Sequence, residues 1–469
     1  MPNPILPLNE YVPDGEPHVF GDRVYLYGSH DAAGSTRFCV QDYTVWSAPV
    51  DDLGCWTCHG VTYRREQDPR SKPGKPVDFY APDCVWGTDG RYYLYYFAAG
   101  PKTTPFGPMS VAVSDHPEGP FDYLGDIRNP DGTPLLTYLT NDPAVLNDNG
   151  HVWLYYGWGL GRDFRSRPLA PLYTLVLSKL THRPCREVRE IKPSILSCAV
   201  AELEEDMLTV KAPPRAVLDS KTTAPRDSGL YRHAFYEAPS IRKIGSVYYL
   251  IYSSGENNEL AYATSEHPDR GFQYRGVIIS NSDLGYGGNT TPKNNSGTIH
   301  GGIEYINGQW YVFYHRCTNN TDFSRQACAE PIAILPDGSI PQVEITTQGM
   351  DGASLPGIGT YPAAVCCHLA TPKPIRLGVG KQQAQPRIAE KDGLLCLRDL
   401  TAGTRAVYKY FDLSGTSKIT LGLQGEGEVR VNGKALDGGG SASLTGGNRE
   451  ELCFQVVSGK VDILNFTLE

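Results

Sequence analysis

The sequence predicts an all-β protein, a five-bladed β-propeller followed by a small β-sandwich. An apolar strand rich in aromatic residues recurs five times, and each copy follows the Asn, Asp and Gly residues that favour hairpin turns. No long segment has helical periodicity, so little helix is expected. A strand repeat of this kind is typical of propeller blades. The five signature strands are Tyr25-Leu-Tyr-Gly, Tyr93-Leu-Tyr-Tyr, Trp153-Leu-Tyr-Tyr, Tyr249-Leu-Ile-Tyr and Tyr311-Val-Phe-Tyr.

Spacing and composition predict the domain organisation. The chain has 469 residues, more than one hydrophobic core usually organises, which favours a large domain and a smaller one. We predict a propeller over residues 1–348, a Gly- and Pro-rich connector over 349–375 and a β-sandwich over 376–469. The gap between the third and fourth signature strands is too long for one blade. We therefore expect an insertion at about 160–230, which includes Arg162-Asp-Phe-Arg-Ser-Arg-Pro, on the rim near the channel mouth.

Charge and cysteine usage limit the classes of partner. The net charge of −9 and the pI near 5.7 argue against nucleic acid, and no stretch reaches the length that spans a membrane. Neutral oligosaccharides fit, and the oligomeric state stays open. The start MPNPILPLNEYVPDG lacks the features of a signal peptide, and the twelve scattered cysteines form no compact disulfide framework. These observations predict a reducing, cytoplasmic location.

Five ionisable residues share one register relative to the signature strands. Each lies 10 to 12 residues before the first residue of its strand. Equivalent positions in propeller blades face one axis, so we expect four carboxyls and one imidazole around a single channel mouth. One acidic residue in a turn is more often structural, but the shared offset favours a site. The five residues are Asp14, Asp83, Asp142, Glu237 and His300.

Carboxyl groups in this arrangement predict glycoside hydrolysis. Two carboxyls on either side of a scissile bond provide an acid and a base or nucleophile, and a third separates their pKa values. A non-catalytic glycan-binding propeller is the alternative from another class, but binding alone gains nothing from several desolvated acids. The eleven histidines show no metal-binding spacing, and His30 is interpreted as a rim contact as readily as a ligand.

The residues around these acids resemble glycoside hydrolase family 43. The similar segments are Pro13-Asp-Gly-Glu-Pro-His-Val, Ala81-Pro-Asp-Cys-Val, Asn141-Asp-Pro-Ala-Val and Tyr236-Glu-Ala-Pro-Ser-Ile. The resemblance implies a five-bladed propeller that hydrolyses arabinose- and xylose-containing glycans with inversion. It implies Asp14 as the general base, Glu237 as the general acid, and Asp142 as the residue that tunes the pKa of the acid and orients it.

The same resemblance extends to binding residues. Asp83 and Tyr80 would support the sugar pocket, although the family usually has Trp where Tyr80 stands. We also predict substrate contacts for His30 and Arg316. His300, in Gly297-Thr-Ile-His-Gly-Gly, matches an axial histidine that holds calcium directly or through water in many members. No cofactor is expected to be required, and calcium in the channel is the one candidate ion.

We therefore predict an inverting, exo-acting glycosidase that removes a terminal α-L-arabinofuranosyl or β-D-xylosyl residue from imported oligosaccharides. The alternatives on the same template are a galactofuranosidase and an endo-arabinanase. The tail from about residue 376 resembles a family 6 carbohydrate-binding module. It contains no tryptophan and few aromatic residues, so a structural cap is favoured over glycan binding.

Overall fold

The computed structural model describes residues 2–100, 107–159, 170–180, 184–186, 196–255, 258–377 and 385–469. Over these residues, five antiparallel sheets follow one another along the chain as propeller blades, and a ten-stranded sheet follows them. The predicted fold class is confirmed. The first four blades have four strands each and the fifth has three.

The strands follow the chain in blade order. Blade one comprises β1 (Glu16–Phe20), β2 (Arg23–Tyr27), β3 (Tyr43–Pro49) and β4 (Thr57–Tyr63). Blade two comprises β5 (Asp78–Trp86), β6 (Tyr92–Ala99), β7 (Met109–Ser114) and β8 (Asp122–Asp126). Blade three comprises β9 (Ala144–Asp148), β10 (His151–Tyr156), β11 (Ser197–Leu203) and β12 (Arg215–Asp219). Blade four comprises β13 (Phe235–Ile244), β14 (Val247–Ser254), β15 (Glu259–Ser265) and β16 (Gln273–Ser280), and blade five comprises β17 (Ile303–Ile306), β18 (Gln309–Cys317) and β19 (Arg325–Ile332).

The signature strands are the second strands of the five blades, and tight turns connect them to the first strands. The backbone φ values are 54° and 91° at Asn149 and Gly150, and 45° and 92° at Asn307 and Gly308. Two successive residues with positive φ match the hairpin turns that fit the twist of the strands. The turn sequences therefore set the registers of β9 with β10 and of β17 with β18.

Each pair of neighbouring blades encloses its own hydrophobic core. The core between blades five and one also contains Ile5 and Leu6, which are buried. The Ile5 backbone N–H donates to the Ala327 carbonyl at 3.0 Å, and the Asn3 amide bonds the backbone of Ala329. The first residues of the chain thus close the ring against β19.

The predicted insertion at 160–230 is shorter in the structure. Residues 197–203 and 215–219 are the two outer strands of blade three, so the extra residues lie between β10 and β11. The described part of this segment includes the helix α1 (Ala170–Leu180). The segment Arg162-Asp-Phe-Arg-Ser-Arg-Pro lies outside the described residues. Over the described part of the chain, no helix is long and apolar enough to cross a membrane.

The C-terminal strands form a β-sandwich around one core. They are β20 (Leu355–Pro356), β21 (Gly359–Pro362), β22 (His368–Ala370), β23 (Arg387–Lys391), β24 (Leu394–Thr401), β25 (Arg405–Asp412), β26 (Lys418–Val431), β27 (Lys434–Ala435), β28 (Ser441–Ser443) and β29 (Glu450–Leu468). The first three strands fall within the predicted connector, yet they pair with β25 and β29. The connector is therefore mostly part of the sandwich. The resemblance to a carbohydrate-binding module stays a prediction.

Candidate active site

A cavity of about 340 Å³ opens at the end of the propeller where the innermost strands begin. Three of the five residues of the predicted register precede their inner strands directly, and Glu237 lies near the start of β13. The cavity combines carboxyl groups with aromatic walls. It is lined by Asp14, Phe38, Tyr80, Phe97, Ala99, Asn141, Asp142, Trp158, Glu237, Thr298, Ile299, His300, His315 and Arg325.

The backbone is strained where the inner strands reach the cavity. Asp14, Asp142 and Ala238 have φ values of 58°, 47° and 62°, which residues with side chains rarely adopt. The ladder between β13 and β14 also shifts register on both sides of Glu237. Such strain is common at functional sites, and here it orients the carboxyl side chains toward the cavity.

Asp14 carries a buried negative charge that Arg325 neutralises. Its carboxylate accepts a hydrogen bond from Arg325 Nη1 at 2.8 Å, and its side chain is 5% exposed. Burial is the largest single influence and raises the pKa of Asp14, but the Arg325 guanidinium together with the neighbouring His315 and His300 outweighs it and holds the pKa well below its usual range. Asp14 is therefore ionised at neutral pH.

His315 fixes the other side of Asp14. The Asp14 backbone N–H donates to His315 Nδ1 at 3.2 Å, which requires an unprotonated Nδ1. The proton of the neutral ring then lies on Nε2, 3.1 Å from Thr298 Oγ1. Burial lowers the pKa of His315, in agreement with a neutral ring. The histidine thus orients the main chain of Asp14 and adds no charge.

Asp31 positions Arg325. Its two carboxylate oxygens accept from Arg325 Nε at 2.8 Å and from Nη2 at 3.1 Å, while the Phe38 ring lies 4.8 Å from the guanidinium carbon. A bidentate pair of this kind fixes the plane of the guanidinium. The remaining nitrogen, Nη1, is thereby directed at Asp14.

Glu237 differs from Asp14 because no cation contacts it in the described structure. Its carboxyl accepts a hydrogen bond from Trp158 Nε1 at 3.0 Å. Burial and the charge of Asp14 raise the pKa of Glu237 to about 7, although the bond from Trp158 acts in the opposite direction. At neutral pH and below, Glu237 can therefore hold a proton.

Asp142 interacts with both Asp14 and Glu237. Its Oδ2 accepts the Ala238 backbone N–H at 3.2 Å, which fixes the chain next to Glu237. Burial, followed by the charges of Glu237 and Asp14, raises the pKa of Asp142. Three carboxyls in one buried site share protons, so the titrations of Asp142 and Glu237 are linked.

The other predicted site residues have mixed positions. Tyr80 lines the cavity, and its ring lies 6.3 Å from that of Phe38. His300 also lines it, with Nδ1 3.7 Å from the Asp14 carboxylate. Burial lowers the pKa of His300 to about 4, so the ring is neutral at physiological pH.

Asp83 does not line the cavity but lies one layer deeper in the channel. It pairs with Tyr95, the third residue of its signature strand, just as Glu16 pairs with Tyr27 and Ser240 with Ile251. The turn between Trp86 and Tyr92 has five residues, against two between Phe20 and Arg23, so the count back from the signature strand stops one layer short of Asp14. The prediction that placed Asp83 level with Asp14 is therefore corrected. The Asp83 carboxylate bonds His18 Nε2 at 2.6 Å and the Val145 backbone N–H at 2.7 Å.

His30 and Arg316 also lie outside the cavity. His30 Nδ1 bonds the Asp42 carbonyl at 2.8 Å. Arg316 donates to Gln326 and to the carbonyls of residues 364 and 366, facing the sandwich. Side chains alternate along a strand, so on β18 it is His315 that faces the cavity while its neighbour Arg316 faces away. The structure does not support a substrate contact for either predicted residue.

Sequence reasoning missed several residues of the site, among them Arg325, His315, Trp158, Phe38 and Phe97. One feature of the sequence could have indicated Arg325: this arginine begins the strand β19, whose following residues are mostly small and buried. An arginine buried in such a place requires a carboxylate partner. Its partners, Asp14 and Asp31, lie about three hundred residues earlier in the chain, and only ring closure brings them together.

A calcium ion in the channel fits residues other than His300. The carboxylate nearest to the His300 ring belongs to Asp14, whose charge Arg325 already neutralises. One layer deeper, ligand atoms of Glu16, His18 and Asp83 lie within 4.8 Å of one another. Oε1 of Glu16 is buried without a hydrogen-bond partner among the described residues. Oxygen ligands and an unpartnered carboxylate oxygen suit calcium better than the surroundings of His300 do.

Known proteins are similar to this chain in sequence and in fold. A xylosidase/arabinosidase from Thermoclostridium stercorarium is 41% identical over 443 residues, covering 90% of this chain and 85% of the relative. A solved β-xylosidase/α-arabinofuranosidase from a compost metagenome, in complex with xylotriose and calcium-free, has a TM-score of 0.55 at 25% identity, covering 73% of this chain and 97% of its own.

A second solved structure has a similar fold. The Xanthomonas citri family 43 enzyme complexed with xylose has a TM-score of 0.54 at 27% identity and covers 73% of this chain and 93% of its own. Residues 1–340 match the family described as glycosyl hydrolases family 43, which is most of the chain. The propeller, its buried carboxyls and these matches together show that the chain is a glycoside hydrolase and belongs to family 43.

Proposed function

We propose that this enzyme is an inverting, exo-acting glycosidase that releases a terminal α-L-arabinofuranosyl or β-D-xylosyl residue from oligosaccharides. The observation that carries the proposal is the opposite protonation of two carboxyls in one cavity. Arg325 keeps Asp14 ionised, whereas burial and the charge of Asp14 raise the pKa of Glu237. An acid and a base are both required for hydrolysis with inversion.

The proposed reaction uses these two groups in one step. The Asp14 carboxylate takes a proton from a water molecule while the water oxygen attacks the anomeric carbon. The glycosidic bond breaks, and the leaving oxygen takes the proton of Glu237. Asp14 is then protonated and Glu237 ionised, and exchange with solvent restores both. Asp142 holds the backbone next to Glu237 and, when ionised, favours the protonated form of Glu237.

The size and walls of the cavity support a terminal pentose. Its volume of about 340 Å³ is at the small end of the ~300–1,000 Å³ typical of ligand pockets. Phe38, Tyr80, Phe97 and Trp158 give it apolar walls that suit a sugar ring without a bulky exocyclic arm. The names of the relatives, xylosidase/arabinosidase and β-xylosidase/α-arabinofuranosidase, agree with this choice. An endo-arabinanase needs an open groove and is less favoured, as is a galactofuranosidase.

Two further parts of the proposal concern calcium and location. A bound calcium ion would be held by Glu16, His18 and Asp83 and would supply positive charge beneath the carboxyls. Arg242 Nη2 also lies 3.3 Å from Glu16, so the layer already contains one positive charge.

We place the enzyme in the cytoplasm. In support, all twelve cysteines are unpaired, and many are buried as small apolar side chains.

The function can be tested with aryl glycosides. Nitrophenol release is expected from the α-L-arabinofuranoside, the β-D-xylopyranoside or both, and not from the β-D-galactofuranoside. Proton NMR of the first sugar formed should show the anomer opposite to that of the substrate, because the water attacks from the Asp14 side. Activity on the galactofuranoside alone would contradict the proposed sugar. A first product that retains the substrate configuration would exclude the inverting mechanism.

The roles of Asp14 as the base and Glu237 as the acid can be distinguished by how the activity of each variant depends on the leaving group of the substrate. Asp14→Asn should lower kcat by ~10²–10⁴-fold on every substrate, the range typical of lost acid–base catalysis. Glu237→Gln should lose as much on oligosaccharides, but much less on a dinitrophenyl glycoside, whose leaving oxygen needs no proton. Asn129→Ala, at a half-exposed position outside the cavity, serves as the control. Equal losses of Glu237→Gln on both substrate types would contradict its assignment as the acid.

The pH dependence of kcat/KM should shift when the charge of Arg325 is removed. Asp14 acts ionised, so activity falls on the acid side as Asp14 gains a proton, and Glu237 acts protonated, so activity falls above about pH 7. Arg325 lowers both pKa values. Arg325→Met should therefore move both limbs of the kcat/KM profile to higher pH. Arg325→Lys, which keeps the charge, should move them less. An acid limb that stays in place in Arg325→Met would refute the role of the ion pair.

Calcium can be tested through stability as well as activity. A ligand at 100 times its Kd stabilises a protein by about 2.7 kcal/mol, so calcium added to chelated enzyme should raise Tm. The same addition should restore activity lost on chelation. Glu16→Gln should remove the Tm response because it removes one carboxylate ligand. If elemental analysis finds no metal and Tm does not respond in the wild type, the calcium proposal is wrong.

A further inference from the structure

The general acid defines the side of the cavity on which the leaving group lies. Under the proposed function, Glu237 gives its proton to the leaving oxygen, so the rest of the oligosaccharide must extend past Glu237 and not past Asp14. Trp158 and Tyr236 are on this side. The Trp158 indole bonds Glu237, and its ring lies 5.9 Å from that of Tyr236.

A segment that leads into the sandwich pairs with the edge of the same cavity. The Ser296 backbone N–H donates to the Ile375 carbonyl at 3.0 Å, and the Leu377 N–H donates to the Ser296 carbonyl at 2.7 Å. The Ile375 N–H also donates to the Asn295 side chain at 3.0 Å. Thr298, two residues after Ser296, lines the cavity. Residues 375–377 are thus held as an added strand beside the site.

Arg376 lies on the free face of this added strand. Leu377 is buried and lies against Gly297, since a Cβ on Gly297 would come within 3.3 Å of it. Side chains alternate in extended chains, so Arg376 faces the opposite way and is exposed. Its charge acts on Tyr236 and on Asp322. Its backbone pairing with Ser296 places the arginine at the cavity edge next to Thr298, within electrostatic reach of Tyr236, which precedes the general acid.

Asp322 supplies a carboxylate at the same edge. It is 7% exposed, and its carboxylate accepts the backbone N–H of Thr298. A Cβ on Gly297 would lie 2.7 Å from its Oδ1, so only glycine at position 297 leaves room for this carboxylate. The charge of Asp322 also acts on Glu237. A guanidinium and a carboxylate at this edge of the cavity can donate to and accept from the hydroxyls of one sugar.

We propose that Arg376, together with Asp322, binds the sugar unit on the leaving-group side of the scissile bond. The C-terminal part of the chain thereby completes the substrate site of the propeller. This inference rests on the proposed function, because the direction of the leaving group follows from Glu237 as the acid. The ligand it assigns to Arg376 is a neutral, hydroxyl-bearing sugar residue in the oligosaccharide.

The test compares two substrates that differ only in the leaving group. One is the disaccharide with the pentose that the aryl glycoside panel identifies, and the other is the corresponding pentosyl fluoride, which places no sugar beside Arg376. Arg376→Ala should reduce kcat/KM on the disaccharide by ~10-fold or more, mainly through KM, because a charged hydrogen-bond donor is lost. Its kcat/KM on the fluoride should stay within about 2-fold of the wild type. Arg376→Lys should recover part of the loss on the disaccharide.

The matched control is Arg430→Ala, another exposed arginine of the sandwich, which pairs with Glu428 and should change neither substrate. Equal effects of Arg376→Ala on disaccharide and fluoride would show a structural role and overturn the inference. An unchanged disaccharide KM would overturn it as well. If the wild type cleaves neither substrate, the proposed function itself fails, and that outcome is distinct from a failure confined to Arg376→Ala.

Discussion

The arrangement of carboxyls in the cavity depends on one buried ion network, in which Arg325 bridges Asp14 and Asp31. Transferring an ion from water to a protein interior costs several kcal/mol, so each of these charges is tolerated only with its partners in place. Asp14 and Asp31 belong to the start of the chain and Arg325 to the last blade. The network therefore forms only when the ring closes. Closure in turn relies on Asn3 and Ile5, which pair with the same strand, β19, that begins at Arg325.

The same network explains how similar carboxyls acquire different properties. Asp14 and Asp142 are buried and Glu237 is half-buried, and burial acts on each to raise its pKa. Only Asp14 contacts the guanidinium, and it alone has a lowered pKa. Its fixed negative charge then raises the pKa of the other two. A single cation placed on one side of the cavity thus separates a base from an acid.

The sequence predicted the blades well because hairpin turns and aromatic strands are local signals. It also predicted that Asp14, Asp142, Glu237 and His300 would meet, since strand register repeats from blade to blade. The offset alone placed Asp83 in the wrong layer, because the turn between β5 and β6 is about three residues longer than the turn between β1 and β2. Pairs such as Asp14 with Arg325 leave no local pattern. The position of Arg376 depends on how two domains pack, which no spacing along the chain encodes.

The layer beneath the cavity has an imbalance of charge that the fold must resolve. Glu16 and Asp83 are buried there, with Arg242 as the cation and His18 bonded to Asp83. Burial and the charge of Asp83 raise the pKa of Glu16 to about 8, and Oε1 of Glu16 has no partner among the described residues. A proton on Glu16 or a bound cation would each reduce the negative charge below Asp14 and Glu237. A proton leaves the pocket charge tied to pH, whereas a cation makes it depend on metal concentration.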